Sequence, residues 1–382
     1  MDMQTIAEGT GTTVGRVYQF LYRQQKTSKL EISTQLQLSR PTVAQALKEL
    51  SDRRLVEKNG YFASTGGRKA DALSIVSAAR VAVGLEILLE RYEIVAVDLY
   101  GTCLRAEQHP LPFSNQEDYF STVCGAVRSF LRELAVPEER ILGVGIVLQG
   151  LISSDGARVT YGKILGCTGL TIDRFTRYLP YSCRMIHDAE AAATAELWNT
   201  DIRNAIFFHI RNNLSGALIV NGRFLKGNEL KSGVFEHMTI VTGGRPCYCG
   251  KQGCMETYCS MRALLSEDPD RDPTPTPEDA ARFFCALRAG NPVAETRWDR
   301  YLHDLALAID NLHMLIDYDI ILGGHLAAYL LPEDLAALHR LVAARTAFPT
   351  DREFIKRARC GTNPIAIGAA LPLVREFLST LF

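Results

Sequence analysis

Four soft metal ligands within eighteen residues constrain this chain more than any other feature. Cys247, Cys249 and Cys254 form a C-x-C-x4-C run, and His237 precedes its first cysteine by ten positions. A zinc ion is held by four such ligands about 2.0–2.3 Å from the metal. Gly250 and Gly253 sit inside the loop, where the backbone must fold tightly around an ion. Three thiolates and one imidazole leave no open coordination position, so the expectation is one structural zinc and not a hydrolytic one. The competing reading is a chance cluster or a redox pair. Cys259, just beyond, reads as an ordinary buried thiol, as do the scattered Cys103, Cys124, Cys167, Cys183, Cys285 and Cys360.

A length of 382 residues implies two or three domains, and 47% hydrophobic with 22% charged residues is globular composition. No apolar run is long enough to span a membrane. The N-terminus has neither a basic n-region nor an apolar h-region, so the expected location is cytoplasmic. The net charge of −1 divides unevenly: residues 1–70 hold 11 Lys/Arg against 6 Asp/Glu, a net of +5, which leaves −6 for the remainder. A basic head on an acidic body is expected where only the head meets a polyanion.

The head, roughly 14–76, reads as three helices and a hairpin. Val17, Phe20 and Leu21 give the first helix an apolar face. Ser28 caps a second helix carrying Leu30, Ile32 and Leu36. Ser39 caps a third over Thr42–Leu55, with Pro41 in its first turn and Val43, Ala46, Leu47 and Leu50 pointing inward. Val56 to Phe62 reads as two short strands around Asn59-Gly60. This is the layout of a winged helix-turn-helix, whose third helix enters the major groove of duplex DNA. Arg40, Thr42, Gln45 and Lys48 face away from the inward stripe. Gln45 suits an adenine edge and Arg40 a guanine or a phosphate. Lys48, Arg53, Arg54, Arg68 and Lys69 supply backbone charge. The alternative for a three-helix unit is dimerisation or protein docking.

From residue 80 the pattern is α/β. Strand-like runs fall at 80–87, 92–99, 141–148, 184–186, 205–210, 217–220 and 320–322. Helical stretches fall at 116–135, 188–199, 255–265, 278–289 and 294–317. Two mixed-sheet lobes are expected, not one doubly wound sheet. Asp268–Pro277, with four prolines, reads as a surface excursion, and no short-period repeat is visible.

On these residues the chain resembles the ROK family (repressors, open reading frames and kinases), in its repressor branch. His237, Cys247, Cys249, Cys254 and Glu256 are similar to the family's H-x9-C-x-C-G-x2-G-C-x-E signature. Ser64 to Arg68 resembles the repressors' wing-end motif. Asp319 to Gly324 resembles the stretch near the nucleotide in family kinases, and Gly368-Ala369-Ala370 the usual start of the C-terminal helix. The resemblance implies a winged-helix DNA-binding domain (1–76) followed by a two-lobed, actin-like or sugar-kinase-like (ribonuclease H-like) ATPase fold. Its lobes are expected at 80–198 and 199–382, with the C-terminal helix returning to the first.

The resemblance also assigns roles. His187-Asp188-Ala189-Glu190 stands where kinases carry Asn-Asp-Ala-Asn, so Asp188 matches the base that takes a sugar-hydroxyl proton. An aspartate there serves equally as an acceptor for a bound sugar, or as a helix cap. Glu256 and His237 match sugar-binding residues, and Gly150 lies in the loop that cradles sugar. Departures argue against phosphotransfer. The first phosphate loop reads Glu86-Ile87-Leu88-Leu89-Glu90, without glycine, and the second reads Arg211 to Ala217, nearly without it. In the sugar site, His187 replaces an Asn and Val234 replaces a Glu three residues before the zinc His. The expectation is a sugar- or sugar-phosphate-responsive DNA-binding regulator, a repressor and not an enzyme, forming a dimer or dimer of dimers on operator DNA. Alternatives are an ATP-dependent sugar kinase with Asp188 as base, or a regulator with a decayed pocket that answers to a protein.

Overall fold

The computed structural model describes residues 11–63, 69–267, 272–348, 350–359, 361 and 363–381. Its contacts divide the chain into two compact units, 1–147 with 172–185 and 369–382, and 148–171 with 186–368. Residues 148–171 and 186–198 belong to the second unit. The chain end from Ala369 belongs to the first.

In the first unit, α1 (Thr13–Gln24), α2 (Lys29–Leu36) and α3 (Arg40–Asp52) form the head. Ser28 and Ser39 each accept a backbone N–H three residues on, capping α2 and α3 as their positions require. Gln37, in the left-handed conformation, ends α2 and sets the tight turn into α3. Tyr18 and Tyr22 are buried on α1 alongside Val17 and Leu21, whereas Leu30 on α2 is exposed. The helix expected to run to Leu55 stops at Asp52.

The expected Asn-Gly hairpin turn is not formed. Val56–Tyr61 is a single strand, antiparallel to Asp71–Ile75, and its register slips by one residue between Lys58 and Tyr61. Gly60, at φ +84°, supplies the left-handed residue of that bulge. Ser64 to Arg68 lie outside the described residues.

The first unit's sheet has the strand order Cys103–Pro110, Arg91–Val97, Val81–Ile87, Ile141–Leu148, Cys183–His187. Cys103–Pro110 is an edge strand with a polar sequence, and the apolar pattern did not reveal it. Tyr22 ties the head to this sheet, its hydroxyl donating to Leu99 O at 2.8 Å and its ring 4.7 Å from Tyr100.

The second unit's sheet runs Arg223–Phe224, Leu214–Val220, Ala205–Ile210, Asp319–Gly324, Ile355–Arg357. Ala205–Ile210 is antiparallel to Leu214–Val220 and parallel to Asp319–Gly324, which is parallel to Ile355–Arg357. Each sheet is thus a three-strand meander extended by two later strands, a repetition of topology that leaves no period in the sequence. Helices Pro277–Arg288, Pro292–Leu315 and Pro332–Ala343 contribute to a core with Ile206, Phe208, Trp298, Leu305, Leu322 and Leu338. The last of these helices was not expected. The C-terminal helix begins at Pro364, four residues before Gly368. Gly368 lies against Ala191 O, where a Cβ would overlap the backbone, and so packs beside the helix Asp188–Leu197.

Cys103 and Cys285 are exposed and Cys183 is partly so, contrary to their reading as buried thiols, while Cys124, Cys167 and Cys259 are buried. Cys360 and residues 268–271 of the proline-rich segment lie outside the described residues. Among the described residues no helix is long and apolar enough to cross a membrane.

Candidate metal centre

The His237 end of the cluster is built on a one-turn helix, Phe235–His237. Phe235 is buried against Phe208 (ring centroids 4.7 Å apart) and over Gly216, where a Cβ would overlap its ring. This anchor fixes the residue two positions before the imidazole. The cysteine loop is pinned at its base by bridges Thr239–Cys254 and Pro246–Gln252. Inside it, Cys247 N–H donates to Lys251 O and Gly250 N–H to Cys247 O, both at 2.8 Å. Gly250 (φ +98°) and Gly253 (φ +75°) make the left-handed turns, and Gly253 lies against Val241 O with no room for a side chain. Lys251 Nζ donates to His237 O at 2.8 Å, joining the two halves.

The four ligand atoms lie within 4.8 Å of one another. His237 Nδ1 is 3.7 Å from Cys247 Sγ, and Cys249 Sγ is 3.7 Å from Cys254 Sγ. A tetrahedral ion about 2.3 Å from each sulfur would separate its sulfurs by about 3.8 Å. Two pairs thus already stand close to tetrahedral edges, and the donor set fits one zinc ion. Burial pushes the Cys247 and Cys254 thiols up and the His237 imidazole down. At Cys249 burial acts the same way, but hydrogen bonds from the Lys251 amide and the neighbouring thiols outweigh it and hold the thiol below its ordinary value. A dication in this site would displace the remaining thiol protons and supply the charge that stabilises the thiolates.

Glu256 follows the last cysteine by two positions and is buried. Its Oε1 accepts from Asn213 Nδ2 at 2.9 Å and its Oε2 from Leu214 N–H at 2.6 Å. Burial pushes its carboxyl up to about 7 against the pull of those two bonds. Asp188, also buried, accepts from Ala189 N–H at 2.8 Å. Its Oδ1 lies 3.1 Å from His187 Nε2, and Ser215 Oγ is 3.5 Å from its Oδ2. Gly150 packs on the backbone of Tyr161 and Gly162, where a Cβ would stand 2.5 Å from Tyr161 O.

One residue of this group escaped the sequence reading. Glu236 is buried, its Oε2 has no hydrogen-bond partner, and Glu256 and Asp188 both act on it electrostatically. Burial first, and those two carboxylates after it, hold its carboxyl well above the ordinary range. It sits two positions after Val234, the residue whose missing carboxylate marked the pocket as altered. Only its location beside His237 signalled it.

On α3, Arg40, Thr42, Gln45 and Lys48 are all exposed. Thr42 Oγ1 is drawn to Ser39 Oγ at 2.7 Å, which ties that hydroxyl to the helix cap. Lys69 is exposed, and Arg68 lies outside the described residues.

The ROK family profile matches residues 82–376, most of the chain. The chain belongs to the ROK family. Among relatives, the DNA-binding transcriptional dual regulator NagC of Escherichia coli K12 is 26% identical over 255 residues. That match covers 65% of this chain and only 62% of NagC. A putative xylose repressor of Caldicellulosiruptor is 24% identical over 348 residues, 86% of each chain. Solved ROK structures share the fold. A ROK family transcriptional regulator, a homologue of E. coli MLC, superposes with a TM-score of 0.75 at 18% identity, covering 100% of this chain and 98% of its own. A ROK glucokinase from Streptomyces griseus, in complex with glucose and AMPPNP, gives 0.64 at 23% identity, covering 78% of this chain and 99% of its own. This ROK chain therefore has N-terminal helices followed by the sugar-kinase-like fold.

Proposed function

We propose that this chain is a sequence-specific DNA-binding transcription regulator, a repressor, whose ROK portion holds one structural zinc ion and responds to a sugar or sugar derivative. The observation that carries the reading is the exposed row Arg40, Thr42, Gln45 and Lys48 on a serine-capped third helix, on a chain whose remainder is a ROK fold. Relatives named as repressors support it.

The recognition helix enters the major groove, with Gln45 and Arg40 at base edges and Lys48 and Lys69 on phosphates. Two heads on a homodimer would match a two-fold operator. Asp188, Glu256, Glu236, His187 and His237 supply acceptors and donors for ligand hydroxyls, near the Gly150 turn. Zinc, held by His237, Cys247, Cys249 and Cys254, braces the wall carrying His237 and Glu256. Ligand changes DNA affinity only as far as it binds one conformational state more tightly than the other.

Two features support the absence of phosphotransfer. Leu88 is buried and Glu90 exposed where a phosphate loop would need glycines. The hairpin 211–213 is closed by Arg211 N–H donating to Asn213 O at 3.0 Å, and its asparagine amides are spent on Glu256 and Pro275 O. Asp188 keeps a kinase as the second reading, which ATP turnover would establish. The primary test is a gel shift at fixed salt with and without a panel of sugars. Specific binding released by one sugar supports the reading, and absence of specific binding at low salt overturns it.

A further inference from the structure

We propose that the cavity lined by Arg245 and Arg262 in the second unit takes the carboxylate of a sugar acid, which makes an acidic sugar the effector. The inference deepens the sugar-responsive reading and rests on it for the sugar, but not for the carboxylate.

The cavity has a volume of about 450 Å³, within the range of small-molecule sites. Its walls come from the hairpin at Asn213, the cysteine loop at Arg245 and Tyr248, and the segment from Glu256 to Glu267. Both arginines are half-buried, and the main chain holds each in place. Arg245 Nη1 donates to Thr257 O at 2.8 Å, with the guanidinium over the Tyr258 ring, 4.8 Å from its centroid. Arg262 Nη2 donates to Asp272 O at 3.1 Å. Each acceptor is a neutral carbonyl, and among the described residues neither guanidinium has an ion-pair partner.

The nearby acids are engaged elsewhere. Glu256 accepts from Asn213 and from the Leu214 amide, and Arg262 acts on it electrostatically without bonding to it. Glu267 is an exposed carboxylate that pairs with Arg297 at 3.0 Å. Asp304 is influenced by Arg245, after Arg300, without forming an ion pair with it. A cation drawn out of water needs a counter-charge, and proteins usually provide one. Here two planar guanidinium forks line one cavity, each with a single hydrogen bond to protein, and such forks match the two oxygens of a carboxylate. Because Glu256 and Glu267 line the same cavity, a monoanion suits it better than a dianion. The remaining groups suit a polyol. Glu256 and Asn213 offer oxygen acceptors, and Tyr248, whose ring meets His237 edge-on with centroids 5.2 Å apart, offers a hydroxyl and an apolar face. Hydroxyl-binding groups and two uncompensated cations in one cavity are the complement of a sugar bearing one carboxylate.

The test uses full-length, zinc-loaded protein. Calorimetry compares glucose, galactose and mannose with their uronic acids, their aldonic acids and their terminal phosphate esters. One sugar acid should bind at least ~10-fold more tightly than its neutral parent, and added salt should narrow that ratio. Arg262→Gln should bring the ratio to about one while elemental analysis shows zinc unchanged, and Arg245→Gln should do the same. Should Arg245→Gln lose zinc or fail to fold, Arg262→Gln alone decides. The inference is overturned if no acid outbinds its neutral parent, if a phosphate ester outbinds the acid, or if the ratio survives Arg262→Gln. If neutral sugars release DNA in the gel shift and the acids gain nothing over them, the sugar-responsive reading stands and the carboxylate site falls. If an acid binds through Arg262 but never alters DNA binding, the site stands and the sugar-responsive reading falls.

Discussion

Cys249 Sγ and Cys254 Sγ stand 3.7 Å apart as free thiols, closer to the edge of a metal tetrahedron than to the roughly 2 Å of a disulfide. The same distance separates Cys247 Sγ from His237 Nδ1.

The cluster is expected to hold about one zinc per chain. Cys254→Ser should abolish stoichiometric metal on elemental analysis of the purified protein and lower the melting temperature by at least ~5 °C, because metal binding is folding free energy. A strong chelator should do the same to the unmodified chain. Full zinc retention in Cys254→Ser would refute the ligand assignment.

Gly216 and Phe235 form the joint beneath His237. Gly216→Ala places a methyl group in the Phe235 ring. Overpacking of this kind costs about 1–3 kcal/mol. Because the displaced ring leads directly to His237, zinc affinity should fall with stability. Phe235→Leu in the same chain should recover part of both, as read by denaturant melts and metal competition.

Glu256 and Glu236 are both buried, with different dependants. Glu256→Ala strands the Leu214 N–H and should cost about 1–3 kcal/mol, whereas Glu256→Gln keeps an oxygen for that amide and should cost less. Glu236 Oε2 has no protein partner to lose. Glu236→Gln should therefore leave the melting temperature nearly unchanged while weakening the responsive ligand about 10-fold, within the range for a hydrogen bond to a charged or buried group. Calorimetry against the two Gln variants separates these outcomes.

At the DNA surface, Lys48→Ala should weaken binding to every sequence alike and reduce the salt slope by about one. Gln45→Ala should instead cost about 1–3 kcal/mol on the preferred operator and relax selection at one base pair. Anisotropy titrations at several salt concentrations, on specific and random duplexes, distinguish the two. Identical behaviour of both variants would remove Gln45 from base reading.

What was legible in the sequence is what short-range chemistry dictates. Ser28 and Ser39 announced their helices because a cap acts within three residues. The glycines of the cysteine loop announced its turns, and the apolar runs most of the inner strands. Cys103–Pro110 stayed hidden because an edge strand with a polar face has no apolar alternation to show. Asn59-Gly60 misled because the same pair that makes a hairpin turn also makes a bulge. The choice fell to Asp71–Ile75, the partner strand beyond it.

The sequence by itself determined the grouping of His237 with Cys247, Cys249 and Cys254, the basic head with its outward row on α3, and the scarcity of glycine in 86–90 and 211–217, since each is fixed by residue identity and local spacing. Only the tertiary structure decided that Glu236 and His209 are buried without full partners, that one sheet plan is used twice, and that residues 148–171 pack with the second unit. Those depend on which distant segments exclude water from a given side chain, and burial by remote strands leaves no mark on the residues nearby in sequence.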